Sequence, residues 1–178
     1  MIKKFINKLL GKSTPGTSGG KPHFGKREEV PASVHGINPE LVDRRAADVV
    51  ATLKQAGFEA YIVGGAVRDL LLGLRPKDFD VATNATPEQV KGLFRRAFII
   101  GKRFRIVHVV HGRGREHEVI EVSTFRAYLD NAAAGQVAGN EKTSKAQLSG
   151  MQHAVDASGR VLRDNVWGPM EEDAARRD

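Results

Sequence analysis

A chain of 178 residues with 40% hydrophobic content has material for one core and its tails, and the absence of cysteine excludes disulfides, thiolate zinc sites and cysteine nucleophiles together. No apolar run approaches the ~20 residues that cross a bilayer, and the opening MIKKFINKLLGK, with no long apolar core or small-residue cleavage site, is a poor secretory signal, so a cytoplasmic protein is expected. A formal charge of +7 points to a polyanionic partner, RNA being the economical one, unless the basicity serves solubility alone; with 6% aromatic residues, charge outweighs any broad stacking platform.

Residues 1–27 hold seven Lys or Arg and no acid, around STPGTSGGKP, and the expected organisation is a disordered basic arm over 1–29 followed by one domain over 30–178. Within the arm Ile2, Phe5, Ile6, Leu9 and Leu10 share a helical stripe. It is either a weak contact with an anionic membrane surface or a protein, or a piece too short to stay helical alone. Asn38-Pro39-Glu40 supplies a cap, a first-turn proline and a first-turn acid, and the apolar spacing that follows predicts a helix over about Pro39 to Ala56, ended at Gly57. Glu59 to Val63 reads as a strand, Gly64-Gly65 as a sharp turn, and Ala66 to Gly73 as a helix; after Pro76 a second strand runs from Asp78 to Ala82. Thr86-Pro87-Glu88-Gln89 has the pattern of a capping box opening a helix to about Phe94. Strands follow near Ala97 to Gly101, Phe104 to His111 and Glu118 to Phe125, so the expected fold class is α/β (α+β), a small mixed sheet covered by helices. Residues 127–158, rich in Ala, Gly, Asn, Gln, Ser and Lys, read as a mobile loop.

The chemistry concentrates between Gly64 and Asp80. A Gly-Gly turn lets backbone N–H groups approach a phosphate at the start of a helix, and Arg68 in its first turn reaches the same anion. On the next strand Asp78 and Asp80 share a face while Phe79 and Val81 point into the core. Paired carboxylates repel unless a cation joins them, and Mg²⁺ with its preference for hard oxygen is the natural one, in a two-metal clamp with ions roughly 3.5–4 Å apart. A solvated turn with Lys77 beside an aspartate is the alternative for Asp78 and Asp80 alone. In Ile120-Glu121-Val122 the carboxylate lies between core-directed residues; Glu121 completes the metal site if its strand pairs beside Asp80, and is otherwise a surface charge. Glu118, at the strand start, is a weaker candidate. Arg126 either answers triphosphate charge with a forked donor pair or forms a structural ion pair. His108 and His111, three apart on a strand, face opposite sides and imply no histidine metal cluster.

GGAVRDLLLG, KDFDVATNATPEQV, IIGKRFRIVHV, VIEVSTFR and LRDNVWGPMEEDAARRD together resemble the head of the class II nucleotidyltransferases, the family of bacterial poly(A) polymerase I and the CCA-adding tRNA enzymes, over about residues 45–126 and 159–178. The resemblance implies a polymerase-β-like palm and an enzyme adding AMP from ATP to RNA 3′ ends. Asp78 and Asp80 would be Mg²⁺ ligands with Glu121 or Asp178 as third carboxylate; Gly64, Gly65, Arg68 and Arg126 would bind nucleotide, and Arg177 would hold phosphates. Asp178 would act through the ribose or as the further catalytic carboxylate, unless the terminus is merely frayed. The basic segment Lys102-Arg103-Phe104-Arg105 resembles the poly(A) branch more than the CCA-adding one, which is the first rival; a non-catalytic RNA- or nucleotide-binding module is the second. In relatives an apolar stretch follows Arg-Arg-Asp, so neck and body domains are expected beyond this chain, and no obligate oligomer is implied.

Overall fold

The computed structural model describes residues 25–101, 103–112, 114, 117–128, 135–136, 153–155 and 161–177. The apolar stripe of the basic arm, Lys102 and Asp178 lie outside the described residues. In chain order the elements are α1 (Ala32–His35), a 3₁₀ turn (Pro39–Leu41), α2 (Arg44–Gln55), β1 (Ala60–Val63), α3 (Gly65–Leu71), β2 (Asp80–Thr83), α4 (Pro87–Leu93), β3 (Ala97–Ile100), β4 (Ile106–His111), β5 (Glu118–Thr124), β6 (Gly135–Gln136), β7 (His153–Val155), β8 (Val161–Asp164) and α5 (Met170–Arg176).

Five strands build one mixed sheet in the spatial order β1-β2-β5-β4-β3, with β2 and β5 parallel and every other pair antiparallel. Period-two alternation gives the sheet two unlike faces. Ile62, Val81, Val122, Val107 and Ile99 are register partners in one row across it. That apolar row packs on Ala46, Val49 and Leu53 of α2, Ala66 and Leu70 of α3 and Val90 of α4. Complete burial of side chains such as Val49, Leu53 and Val81 contributes about 1.5–3 kcal/mol each, so this face holds the fold together. One residue along, the row Val63, Asp80, Glu121, His108 and Phe98 points away from those helices.

Local chemistry sets the helix starts. Thr86 makes the expected capping box, its Oγ1 accepting from Gln89 N at 3.3 Å while Gln89 Oε1 accepts from Thr86 N at 2.8 Å. The single helix expected over Pro39 to Ala56 is instead divided. Asn38 Oδ1 accepts from Glu40 N as a cap should, but Val42 turns extended (φ −76°, ψ 126°) and Asp43 caps a new helix, its Oδ1 accepting from Arg45 N at 2.7 Å. An N-cap side-chain bond requires extended backbone at the cap, which a continuous helix does not allow there.

β2 begins at Asp80 rather than Asp78, and β4 at Ile106 rather than Phe104, because the residues just before β4 are bound elsewhere: Arg103 O accepts from Asp164 N and Arg105 N donates to Asn165 Oδ1. The segment expected as one loop over 127–158 carries two strands. β6 pairs parallel with β7, and β7 antiparallel with β8, in a second sheet that buries Ala154 and Val155. Strands of two and three residues are too short to show a period in the sequence. Arg126 and Trp167 bridge the end of β5 to the chain entering α5, and Ala127 N donates to Val166 O while Gly168 N donates to Phe125 O.

Candidate active site

Gly64 has φ 69° and ψ −141°, a left-handed conformation that favours glycine, and a Cβ there would lie 3.6 Å from Asp80 Oδ2. The glycine turn and the β2 carboxylate are therefore neighbours across the β1–β2 pair, where Val63 is the register partner of Asp80. On the other side of Asp80 its register partner is Glu121, so the condition for including Glu121 is met: β5 runs parallel beside β2. Phe79 and Val81 are buried, Asp80 is half-buried, and Asp78 and Glu121 are exposed.

Burial and the neighbouring charges of Glu121 and Asp78 push the Asp80 carboxyl above its ordinary value, with Arg177 opposing them. Among the described residues Lys77 forms no ion pair with Asp78, and no three Asp, Glu, His or Cys side chains gather closely enough to cage a metal ion. Asp78, Asp80 and Glu121 thus form an open edge of oxygen donors rather than a closed cage. Glu118 sits at the far end of β5 in a 3.3 Å ion pair with Arg45. His108 Nε2 lies 3.2 Å from Glu121 Oε1 without the alignment of a hydrogen bond.

A cleft of about 250 Å³ opens on this face, lined by Asp80, Ile106, Glu121, Ser123, Arg126, Asp173, Arg176 and Arg177. Half of that lining comes from β2, β4 and β5, the rest from Arg126 and the chain around α5. Asp173, buried within α5, organises the cationic wall: its Oδ1 accepts from Arg126 N at 3.0 Å and its Oδ2 from Arg177 Nε at 2.7 Å. Arg177 Nη2 then donates to Ser123 Oγ at 3.0 Å. Arg176 donates to Ala127 O at 2.9 Å and pairs with buried Asp164. The Arg126 guanidinium lies 4.8 Å from the centroid of the Phe104 ring, and its burial lowers its pKa from the ordinary arginine value while the Asp164 charge opposes that shift.

The structure brings Asp80, Glu121, Arg126 and Arg177 to one cleft, with Asp78 and Gly64 adjoining Asp80. Gly65 opens α3 beside Arg68, but the exposed Arg68 side chain is held by Asp69 at 2.8 Å and does not line the cleft. Asp178 is outside the described residues. Sequence reasoning missed Ser123, Asp173 and Arg176. Ser123 lies two residues beyond Glu121 on the same strand, and that spacing was the available signal; Asp173 acts 47 residues away from Arg126 and left none.

Residues 60–178 match the Poly A polymerase head domain. The chain belongs to that family. Membership establishes the expected fold, a nucleotidyltransferase head built on a mixed sheet, and the match includes the 127–158 segment that the motif resemblance skipped. The chain is 47% identical over 150 residues to poly(A) polymerase I of Haemophilus influenzae, covering 84% of this chain and 29% of the relative. It is 41% identical over 179 residues to poly(A) polymerase I of Salmonella typhi, covering 99% and 34%. A CCA-adding enzyme of Bacillus pumilus is more distant, 36% identical over 130 residues, covering 71% and 32%. The chain thus spans about a third of the length of these relatives.

Proposed function

We propose that this head carries the catalytic centre of an RNA 3′-terminal adenylyltransferase: the terminal hydroxyl of RNA attacks the α-phosphorus of ATP, pyrophosphate leaves, and no nucleic acid template takes part. The observation that carries the reading is the register pairing of Asp80 with Glu121 beside the Gly64 turn, facing a wall of arginines. Poly(A) polymerase relatives match more of the chain at higher identity than the CCA-adding enzyme does, which favours ATP over CTP.

Asp80, Asp78 and Glu121 fit Mg²⁺: all are hard oxygen donors, and Asp80 is raised in pKa by burial and then by the like charges of Glu121 and Asp78, which a divalent cation would offset. When bound, Mg²⁺ supplies a more acidic attacking hydroxyl and a counter-charge for the departing pyrophosphate. Water and nucleotide phosphates would complete its coordination. In this reading the Gly64-Gly65 turn seats the triphosphate at the β1 side of Asp80, and Arg68 joins it by giving up its pair with Asp69. Arg126 and Arg177 offer donors to phosphate oxygens from the opposite wall; Asp173 fixes the Arg126 backbone and holds the Arg177 guanidinium, so that little reorganisation accompanies the reaction. By family resemblance Asp178 adds a contact to the ribose or a further catalytic carboxylate. Catalysis in this reading is alignment plus electrostatic stabilisation.

The test is extension of two primers, an unstructured RNA and a tRNA lacking its CCA end, by the complete gene product with Mg²⁺ and either ATP or CTP alone. A long ladder on unstructured RNA with ATP alone is expected. One or two additions confined to tRNA and requiring CTP first would establish the CCA-adding reaction instead, and RNA binding without extension a non-catalytic module.

A further inference from the structure

We infer that the open sheet face running from Glu121 through His108 to Phe98 seats the last nucleotides of the RNA primer, with the Phe98 ring stacking on one base; this rests on the adenylyltransferase reading above. Val63, Asp80, Glu121, His108 and Phe98 are consecutive register partners across all five strands and share the face turned away from the helices. With strands about 4.8 Å apart, Phe98 stands roughly 14 Å from Asp80, a few nucleotides along a single strand.

Direction follows from the chemistry. In an in-line displacement the attacking oxygen and the leaving group lie on opposite sides of the phosphorus. The glycine turn adjoins Asp80 from the β1 side, so a triphosphate seated there sends its pyrophosphate toward β1 and leaves the β5-β4-β3 side for the hydroxyl. Glu121, His108 and Phe98 occupy that side in sequence.

Two further observations select the occupant. Phe98 is 53% exposed and Ile100 43% exposed, adjacent outward-facing residues of the edge strand β3 and thus an apolar surface continuous with the carboxylates. Along the sequence, residues 95–105 (RRAFIIGKRFR) hold five Lys or Arg and no acid, of which Arg96 donates to Gly112 O and Arg105 pairs with Glu88, so the edge bearing the ring suits an anionic strand. An aromatic platform among cations, contiguous with a phosphoryl-transfer centre, is the chemistry that holds single-stranded nucleic acid.

The experiment uses the complete gene product and RNA oligonucleotides carrying 2-aminopurine at the last, second-last or third-last position, with wild type, Phe98→Ala and Phe98→Trp. Phe98→Ala is expected to weaken RNA binding about tenfold, to abolish the fluorescence change at one of the positions, and to leave the KM for ATP and the thermal midpoint unchanged. Phe98→Trp restores binding and signal. Unchanged RNA affinity and fluorescence overturn the inference. So does a lowered thermal midpoint at unchanged RNA affinity, which would mean that another protein segment covers Phe98. AMP transfer by wild type, scored in parallel, separates the two ideas: transfer with an indifferent Phe98→Ala sinks the primer track alone, and no transfer sinks the reading on which it stands.

Discussion

Asp80 and Asp43 are aspartates shifted in opposite directions, and each makes a prediction about pH. The Asp80 carboxyl is raised by burial and by Glu121 and Asp78, so in the range between its unfolded and folded pKa the native state binds more protons than the unfolded one. Stability therefore falls as pH rises through that range, and the penalty is fully present above it. Asp80→Asn removes the penalty along with the negative charge: at neutral pH without divalent cation the thermal midpoint should hold or rise, while AMP transfer is abolished. A variant that lost midpoint as well as activity would point to a folding role. Asp43 runs the other way. Its bonds from Arg45 hold its carboxyl at about 2, so its contribution is present above the ordinary carboxylate range and is lost as pH falls toward about 2. The stability gap between wild type and Asp43→Ala, measured by urea titration, should be widest at neutral pH and shrink below about pH 4.

The short helices α4 and α5 are tied down in different ways. α4 is held at its start by the Thr86 capping box, and Thr86→Ala should cost about 1 kcal/mol in denaturant titration. α5 carries Glu171, Glu172 and Asp173 in its first turn, where acids suit a helix N-terminus, but its attachment to the cleft runs through Asp173. Asp173→Asn keeps an acceptor for Arg126 N and loses the charged partner of Arg177, so it should cost about 1.5–3 kcal/mol, the worth of a hydrogen bond to a charged group. It should also raise the KM for ATP, since Arg177 is no longer held against Ser123. These two elements show what the sequence disclosed. The capping box is written within four residues, as are the Gly64 turn and the alternation that buries Phe79 and Val81 beside Asp80. Asp173 is an ordinary first-turn acid until the fold sets Arg126 against it, and Asn165 is a loop residue until Arg105 N reaches it across 60 positions. The break at Val42 was missed because two caps, Asn38 and Asp43, compete within six residues and the nearer proline favoured the first.

Across the whole molecule the charge of +7 has a place as well as a sum. Five of the cations flank β3 and none of their neighbours between residues 95 and 105 is acidic, yet they are not equivalent in the fold. Arg105 already meets Glu88 at 2.5 Å, and the Glu88 carboxyl is lowered by that bond, whereas Arg103 forms no ion pair among the described residues. Each phosphate neutralised on a single strand contributes a slope of about −0.7 to log K against log salt. If the five cations all contacted phosphate, this segment would supply about −3.5 of slope, an upper bound that the Glu88 pair lowers. RNA binding by the complete gene product, titrated between about 50 and 200 mM salt, should therefore lose about 0.7 of slope in Arg103→Ala and less in Arg105→Ala. Glu88→Gln should steepen the slope, because it releases a guanidinium that the fold keeps occupied. Equal slopes in all four proteins would mean that the basic character of this edge serves solubility and that RNA is held elsewhere.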